Sequence, residues 1–275
     1  MKNILMTLVI ILLVYALSFL LVGFVRKKLG RKPSGIRHFL AGFFTGTLLL
    51  FGVILVYVSI HYSADAEALA VLKNPEGMAV EVIDGGYFLD GPGEAAALAF
   101  YPGAKVDAEA YLPLLQSLAA QGIDCFLLKM PLRLALLKSD AAGTVINRYP
   151  YDKWLVAGHS MGGVAAAGFA AGNEKSVDGV VLLASYPVKK LGDTTALLSV
   201  RGTEDKVLNI ETYQNSRTNF PAKAKELVIR GGNHAQFGNY GEQSGDGTAG
   251  ISRKEQQAQT VKAILEFAET SLRQP

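Results

Sequence analysis

The chain is poor in the residues that most simple site chemistries need. Cysteine occurs once in 275 residues, as Cys125 within the apolar run IDCFLL. A disulfide framework and a thiolate metal site are therefore both excluded, and a buried apolar thiol is the simple reading. Histidine occurs four times, at His38, His61, His159 and His234, so an imidazole has few possible sources. No acidic residue precedes Asp65, although the chain holds 24. Residues 1–38 carry seven of the 27 basic residues, which leaves 20 positive against 24 negative charges in the remainder. The net charge of +3 thus belongs to the N-terminal end and implies no nucleic-acid partner. Internal repeats and low-complexity tracts are absent.

Charge is also missing from two long runs, residues 4–25 and 39–60, each of 22 residues. At the helical rise each would extend about 33 Å, close to the hydrocarbon thickness of a bilayer, and two membrane-spanning helices are predicted. A cleaved signal peptide fits the first run poorly, because it is too long and a basic cluster follows it in place of small residues. The connector RKKLGRKPSGIRH holds Arg26, Lys27, Lys28, Arg31, Lys32 and Arg37, an excess that favours the cytoplasmic side. The N-terminus and everything after residue 60 are then expected outside the cytoplasm, in a multi-pass protein of the cell membrane. Gly42 and Gly46 have the spacing of close helix approach, within the hairpin or between copies, although incidental small residues are the simpler reading. The expected organisation is an anchor over residues 1–62, an alanine-rich connector over 63–77 and one domain over 78–275.

In that last region apolar runs alternate with helix-like stretches. MAVEVI and YFLD flank Asp84-Gly85-Gly86 as a hairpin, and AALAFYPG ends a buried strand in a Pro-Gly turn. Residues 107–121 are helix-like, IDCFLLKMP is a strand, and residues 132–147 are expected to be helical. WLVAGHS is a strand with a sharp exit into the helix MGGVAAAGFAAG. VDGVVLLAS, ALLSVRG and KELVIRG supply three more strands, and residues 253–272 form a closing amphipathic helix. Such alternation implies a mostly parallel sheet with helices on both faces, whose chemistry collects at the carboxyl ends of the strands.

Gly158-His159-Ser160-Met161-Gly162 fits the GxSxG pattern in a strand–turn–helix setting. A tight turn that forces the serine into strained backbone leaves no space for side chains two positions away, hence the glycines. A hydroxyl needs a base to become a nucleophile. His38 lies in the basic loop, His61 at the membrane boundary, and His159 beside the serine with its ring expected to point elsewhere. His234, directly after the last strand, is left as the base. Of the acids between Ser160 and His234, only Glu204 and Asp205 come right after a strand, and either is a candidate to orient the imidazole. Oxyanion donors are expected from the backbone N–H of Met161 and from the turn after the AALAFYPG strand, at Ala104 or alternatively Lys105. Tyr101 is a candidate pocket residue or a packing residue.

The chain order Ser, Asp, His with GHSMG, YPG and GTEDKV resembles the α/β-hydrolase superfamily. YPGAKVDAEAY, LLKMPLRLALL and GGNHAQFGNYGEQSGDGTAGISRKEQQAQT resemble more narrowly a bacterial group of small, often membrane-anchored hydrolases related to dienelactone hydrolase-like enzymes. The similarity runs from about residue 78 to the end. It implies an α/β-hydrolase fold and a serine hydrolase of esterase type, acting on a small-molecule or lipid-like ester with a Ser-His-Asp triad. The Gly-x-x-Asp form of hydrolase acid loops favours Asp205 over Glu204. About ten residues separate VVLLAS from ALLSV, too few for the helical cap that many members carry, so a shallow pocket bordered by Tyr101, Met130, Pro131 and Leu132 is expected. Ser160 stands where dienelactone hydrolases proper have cysteine, so lactone chemistry does not carry over. No metal or organic cofactor is implied. The competing readings are a catalytically silent binding module and a membrane scaffold.

Overall fold

A computed structural model describes residues 2–32, 35–73, 79–93 and 96–271. The chain divides into two compact units, residues 1–60 and 61–275.

The first unit is a helical hairpin of α1 (Lys2–Lys28) and α2 (Ile36–Ser59). Both helices are long and apolar enough to cross a membrane. Their outward side chains are large and apolar, among them Leu12, Phe44 and Leu48, so the pair presents hydrocarbon to its surroundings. The glycine spacing is used inside the hairpin: a Cβ on Gly42 would strike the Phe19 ring, and one on Gly46 the Tyr15 ring and Ser18. With the backbones this close, Ser18 Oγ donates to the Gly42 carbonyl at 2.8 Å.

The second unit begins with α3 (Ala66–Ala70), capped by Asp65, whose carboxylate accepts from the Ala68 N–H at 2.9 Å. Residues 63–73, expected as part of a connector, are thus folded against the domain. The rest of that connector, with Met78, lies outside the described residues. Next come β1 (Ala79–Ile83), β2 (Gly86–Asp90), β3 (Ala97–Tyr101), α4 (Leu112–Ala119), β4 (Asp124–Leu128), α5 (Ala141–Ile146), β5 (Trp154–His159) and α6 (Met161–Gly172). The chain continues through β6 (Gly179–Leu183), β7 (Ala196–Gly202), α7 (Ile210–Ser216), β8 (Lys225–Ile229) and α8 (Arg253–Ser271). Leu272, the last residue of the predicted closing helix, is outside the described residues.

The eight strands form one sheet in the order β1-β2-β4-β3-β5-β6-β7-β8. β1 and β2 pair antiparallel through the turn at Asp84-Gly85, where Gly85 adopts φ 82°, and β2 pairs antiparallel with β4; every other pair is parallel. This is an α/β-hydrolase fold. Strand alternation divides the core. Leu98, Phe100, Leu155, Ala157, Val181 and Leu183 point to the face covered by α4 and α8. Ala97, Ala99, Tyr101, Val156, Val180 and Leu182 point to the face covered by α5 and α6.

Two local departures from the predicted elements matter for the site. Residues 132–147 are not one helix: two short 3-10 turns, Pro131–Arg133 and Ala135–Lys138, precede α5. Leu132 and Arg133 sit at φ 51° and 58°, which no α-helix accommodates. Arg133 is drawn out by Asp107, whose Oδ1 accepts from its Nε at 2.6 Å. Similarly, residues 107–121 divide into a 3-10 turn and α4, with Pro113 in the first turn, where its missing N–H costs nothing.

Candidate active site

β5 and α6 meet at Ser160, whose backbone stands at φ 53° and ψ −124°, a strained left-handed conformation for a residue with a Cβ. Its neighbours hold it there. The Ser160 N–H donates to the Leu183 carbonyl at 2.9 Å, and the Ser185 hydroxyl donates to the Ser160 carbonyl at 2.6 Å. A Cβ on Gly158 would collide with the Gly162 backbone, and one on Gly162 with the carbonyls of Tyr101 and Pro102. The elbow therefore lies directly against the turn that follows β3.

In the loop after β7, the Asp205 carboxylate is fixed on both oxygens. Oδ1 accepts from the N–H groups of Val207 and Leu208 at 2.9 and 2.8 Å, and Oδ2 accepts from His234 Nδ1 at 2.9 Å. Both side chains are almost fully buried, at 2% and 1% exposure. An ionised carboxylate only accepts, so Nδ1 is the donor in this pair, and the tautomer that this selects has its lone pair at Nε2. That Nε2 is buried and has no hydrogen-bond partner among the described residues. No hydrogen bond joins it to Ser160. Glu204 turns the other way and accepts from the Thr203 hydroxyl at 2.9 Å.

The loop carrying His234 is braced by residues that no local pattern singles out. Gln256 on α8 pairs with the backbone of Asn233 in both directions, accepting from its N–H at 2.9 Å and donating to its carbonyl at 2.8 Å. Asp246, in the Gly-rich segment 238–250, accepts from the N–H groups of Ala235 at 2.9 Å and Lys206 at 3.2 Å, which links the loops bearing His234 and Asp205.

His159 is buried, with its ring centroid 4.5 Å from that of His234. Burial, reinforced by the His234 imidazole, pushes its pKa well below the ordinary histidine value. Its Nδ1 lies 2.8 Å from the Tyr111 hydroxyl, which also accepts from the Gly103 N–H at 3.1 Å. Tyr111 thus ties the elbow to the turn after β3. In that turn Lys105 stands at φ 60° and spends its N–H on the Arg133 carbonyl at 2.9 Å. Ala104 keeps an N–H with no acceptor among the described residues, as does Met161 at the start of α6.

Of the expected pocket residues, Met130 and Leu132 line a cavity of about 560 Å³ that also reaches Pro102. Pro131 is exposed beside it without lining it. Tyr101 is a correction: it is fully buried in the core, and its hydroxyl donates to the Ser139 carbonyl at 2.7 Å and accepts from the Ala142 N–H at 2.9 Å. Strand alternation turns it toward α5 and away from the strand ends.

The family model described as the alpha/beta hydrolase family matches residues 97–258. Among solved structures, the chain is similar to the dienelactone hydrolase from Anabaena variabilis, at 14% identity and a TM-score of 0.54, covering 71% of this chain and 99% of that one. It is similar to TT1662 from Thermus thermophilus at 15% identity and a TM-score of 0.54, covering 72% and 99%. A serine hydrolase involved in carbazole degradation gives 13% identity and a TM-score of 0.52, covering 70% and 99%. At such identities the likeness is one of fold. No curated protein sequence matches the chain.

Proposed function

This chain belongs to the alpha/beta hydrolase family, and from that premise we propose that it is a membrane-anchored serine hydrolase that cleaves a carboxylic ester through an acyl-enzyme. The observation that carries this reading is the buried Asp205–His234 pair, 2.9 Å apart, on the sheet edge where Ser160 is strained into an elbow.

In the proposed mechanism Ser160 Oγ attacks the ester carbonyl while His234 Nε2 takes its proton. Asp205 stays ionised, holds the imidazole in the tautomer that leaves Nε2 free to accept, and stabilises the imidazolium. Charge developing on the carbonyl oxygen is met by the N–H groups of Met161 and Ala104, with the N-terminal end of α6 adding its positive dipole. Collapse expels the alcohol, protonated by His234, and water repeats the sequence on the acyl-enzyme. Hydrogen bonds between nucleophile and base are often loose before substrate arrives, and closing the remaining Ser160–His234 gap belongs to the Michaelis complex.

The test is stoichiometric labelling of the full-length protein by a fluorophosphonate, together with hydrolysis of model esters. Ser160→Ala is expected to abolish labelling and lower kcat by about 10³-fold or more, with Asp205→Asn costing about 10³- to 10⁴-fold. Unlabelled Ser160 with no ester turnover in the natural sequence would instead indicate a silent binding module.

A further inference from the structure

Residues 61–73 lie outside the stretch matched by the family model, yet they are built into the domain. The Tyr62 N–H donates to the Lys105 carbonyl at 2.7 Å, and the Asp107 N–H donates to the Tyr62 carbonyl at 3.0 Å. Tyr62 therefore adds a parallel bridge to Val106, just beyond the Ala104 turn. Arg253 clamps Asp65 at 2.8 Å and Glu67 at 2.6 Å, and Ala68 and Val71 are buried.

Two large apolar side chains of the segment stay partly exposed, Leu69 at 42% and Leu72 at 36%, and both line the cavity of about 560 Å³. Pro102, Val106, Ala108, Met130 and Leu132 supply its remaining apolar lining. The charged groups in it are mutually neutralised. Arg133 pairs with Asp107 at 2.6 Å and Lys129 with Glu109 at 2.8 Å. Burial alone would raise the Glu109 pKa, but hydrogen bonds from Lys129 and Tyr87 outweigh it and hold the carboxyl below its usual range. An apolar guest therefore meets no uncompensated charge.

The cavity borders the candidate site through Pro102, against whose carbonyl Gly162 of the elbow packs. Pro102, in its wall, is followed by Gly103 and Ala104, and the next N–H, that of Lys105, is bound to Arg133 in the same wall. We propose that this groove is the acyl-chain subsite, completed by Leu69 and Leu72 of the segment preceding the family core, and that the substrate is an ester of a medium- or long-chain fatty acid. The proposal rests on the reading of Ser160 as the nucleophile.

Two experiments on the full-length protein in lipid nanodiscs test it. In the first, a series of p-nitrophenyl esters from acetyl to decanoyl is compared between the natural sequence and the Leu69→Gln/Leu72→Gln variant. The decanoyl-to-acetyl ratio of kcat/KM is expected to fall about tenfold or more, as loss of an apolar chain contact implies. Leu136→Gln/Leu137→Gln, still more exposed but outside the groove, should leave the ratio unchanged. An unchanged ratio in the Leu69/Leu72 variant overturns the subsite and leaves the hydrolase reading standing. In the second, a diazirine-bearing decanoate photoprobe is applied to Ser160→Ala, so that mapping is independent of turnover. Adducts are expected in residues 66–73 and 129–133; adducts confined to α1 and α2 overturn the proposal. Adducts in the groove with no ester hydrolysed by the natural sequence would support the groove and remove the hydrolase reading.

Discussion

His159 occupies the variable position beside the candidate nucleophile and is a neutral imidazole by burial. Its folded-state pKa lies below the unfolded value of about 6.5, so where the unfolded chain holds a proton the folded one does not. Stability is then fully present above about pH 6.5 and is lost as pH falls, by up to about 1.4 kcal/mol per pH unit from this group. Thermal unfolding of the full-length protein between about pH 7.5 and 5 is expected to show that slope, and His159→Asn to flatten it; a slope indifferent to the substitution would count against a neutral buried ring. What the sequence makes legible at this scale is position. Ser160, Asp205 and His234 each directly follow a strand-like run, and such runs are recognisable from their apolar content. Orientation is not legible. Whether Glu204 or Asp205 turns toward His234 depends on the loop backbone, and Gln256, Asp246 and Tyr111 reach their partners across 23, 11 and 48 residues of chain, beyond any local pattern. Tyr101 shows the limit from the other side, since a residue at a strand's end is still subject to alternation.

Among the elements, strands and α6 follow closely from composition. Buried parallel strands need continuous apolar runs, and α6 needs the small residues Gly162, Gly163 and Ala165 to approach the sheet. The stretch after β4 is harder, because its helix-like composition is overridden by Pro131 and by the pull of Asp107 on Arg133. α3 was hidden for a different reason. Five residues of alanine-rich chain have no helical stability of their own, so its existence depends on the surface that receives it. Ala68 is fully buried in that contact, and a carboxylate there would be desolvated without a partner. Ala68→Glu is expected to cost about 2 kcal/mol or more locally. Hydrogen exchange of residues 66–73 should accelerate at least about tenfold while the amides of β5 and β6 keep their protection. Uniform acceleration across the sheet would show that α3 does not open independently.

At the scale of the whole molecule, the separation of charge along the chain is the clearest instruction in the sequence. Every basic residue of 1–38 other than Lys2 lies in residues 26–37, between the two uncharged apolar runs and spanning the end of α1 and the start of α2. We propose that this loop is cytoplasmic and that residues 61–275 lie on the opposite side of the membrane. A phosphatase reporter that folds only outside the cytoplasm, fused after Pro275, should be active, and replacing Arg26, Lys27, Lys28, Arg31 and Lys32 by serine should make its activity mixed or lost. A reporter silent in the natural sequence would reverse the assignment. A final consequence comes from the clasp on Ser160, whose amide is engaged by Leu183 at the end of β6 and whose carbonyl is engaged by Ser185 just past it. The tension in that peptide is held by groups of the fold itself, so it is present in the folded chain before any guest arrives.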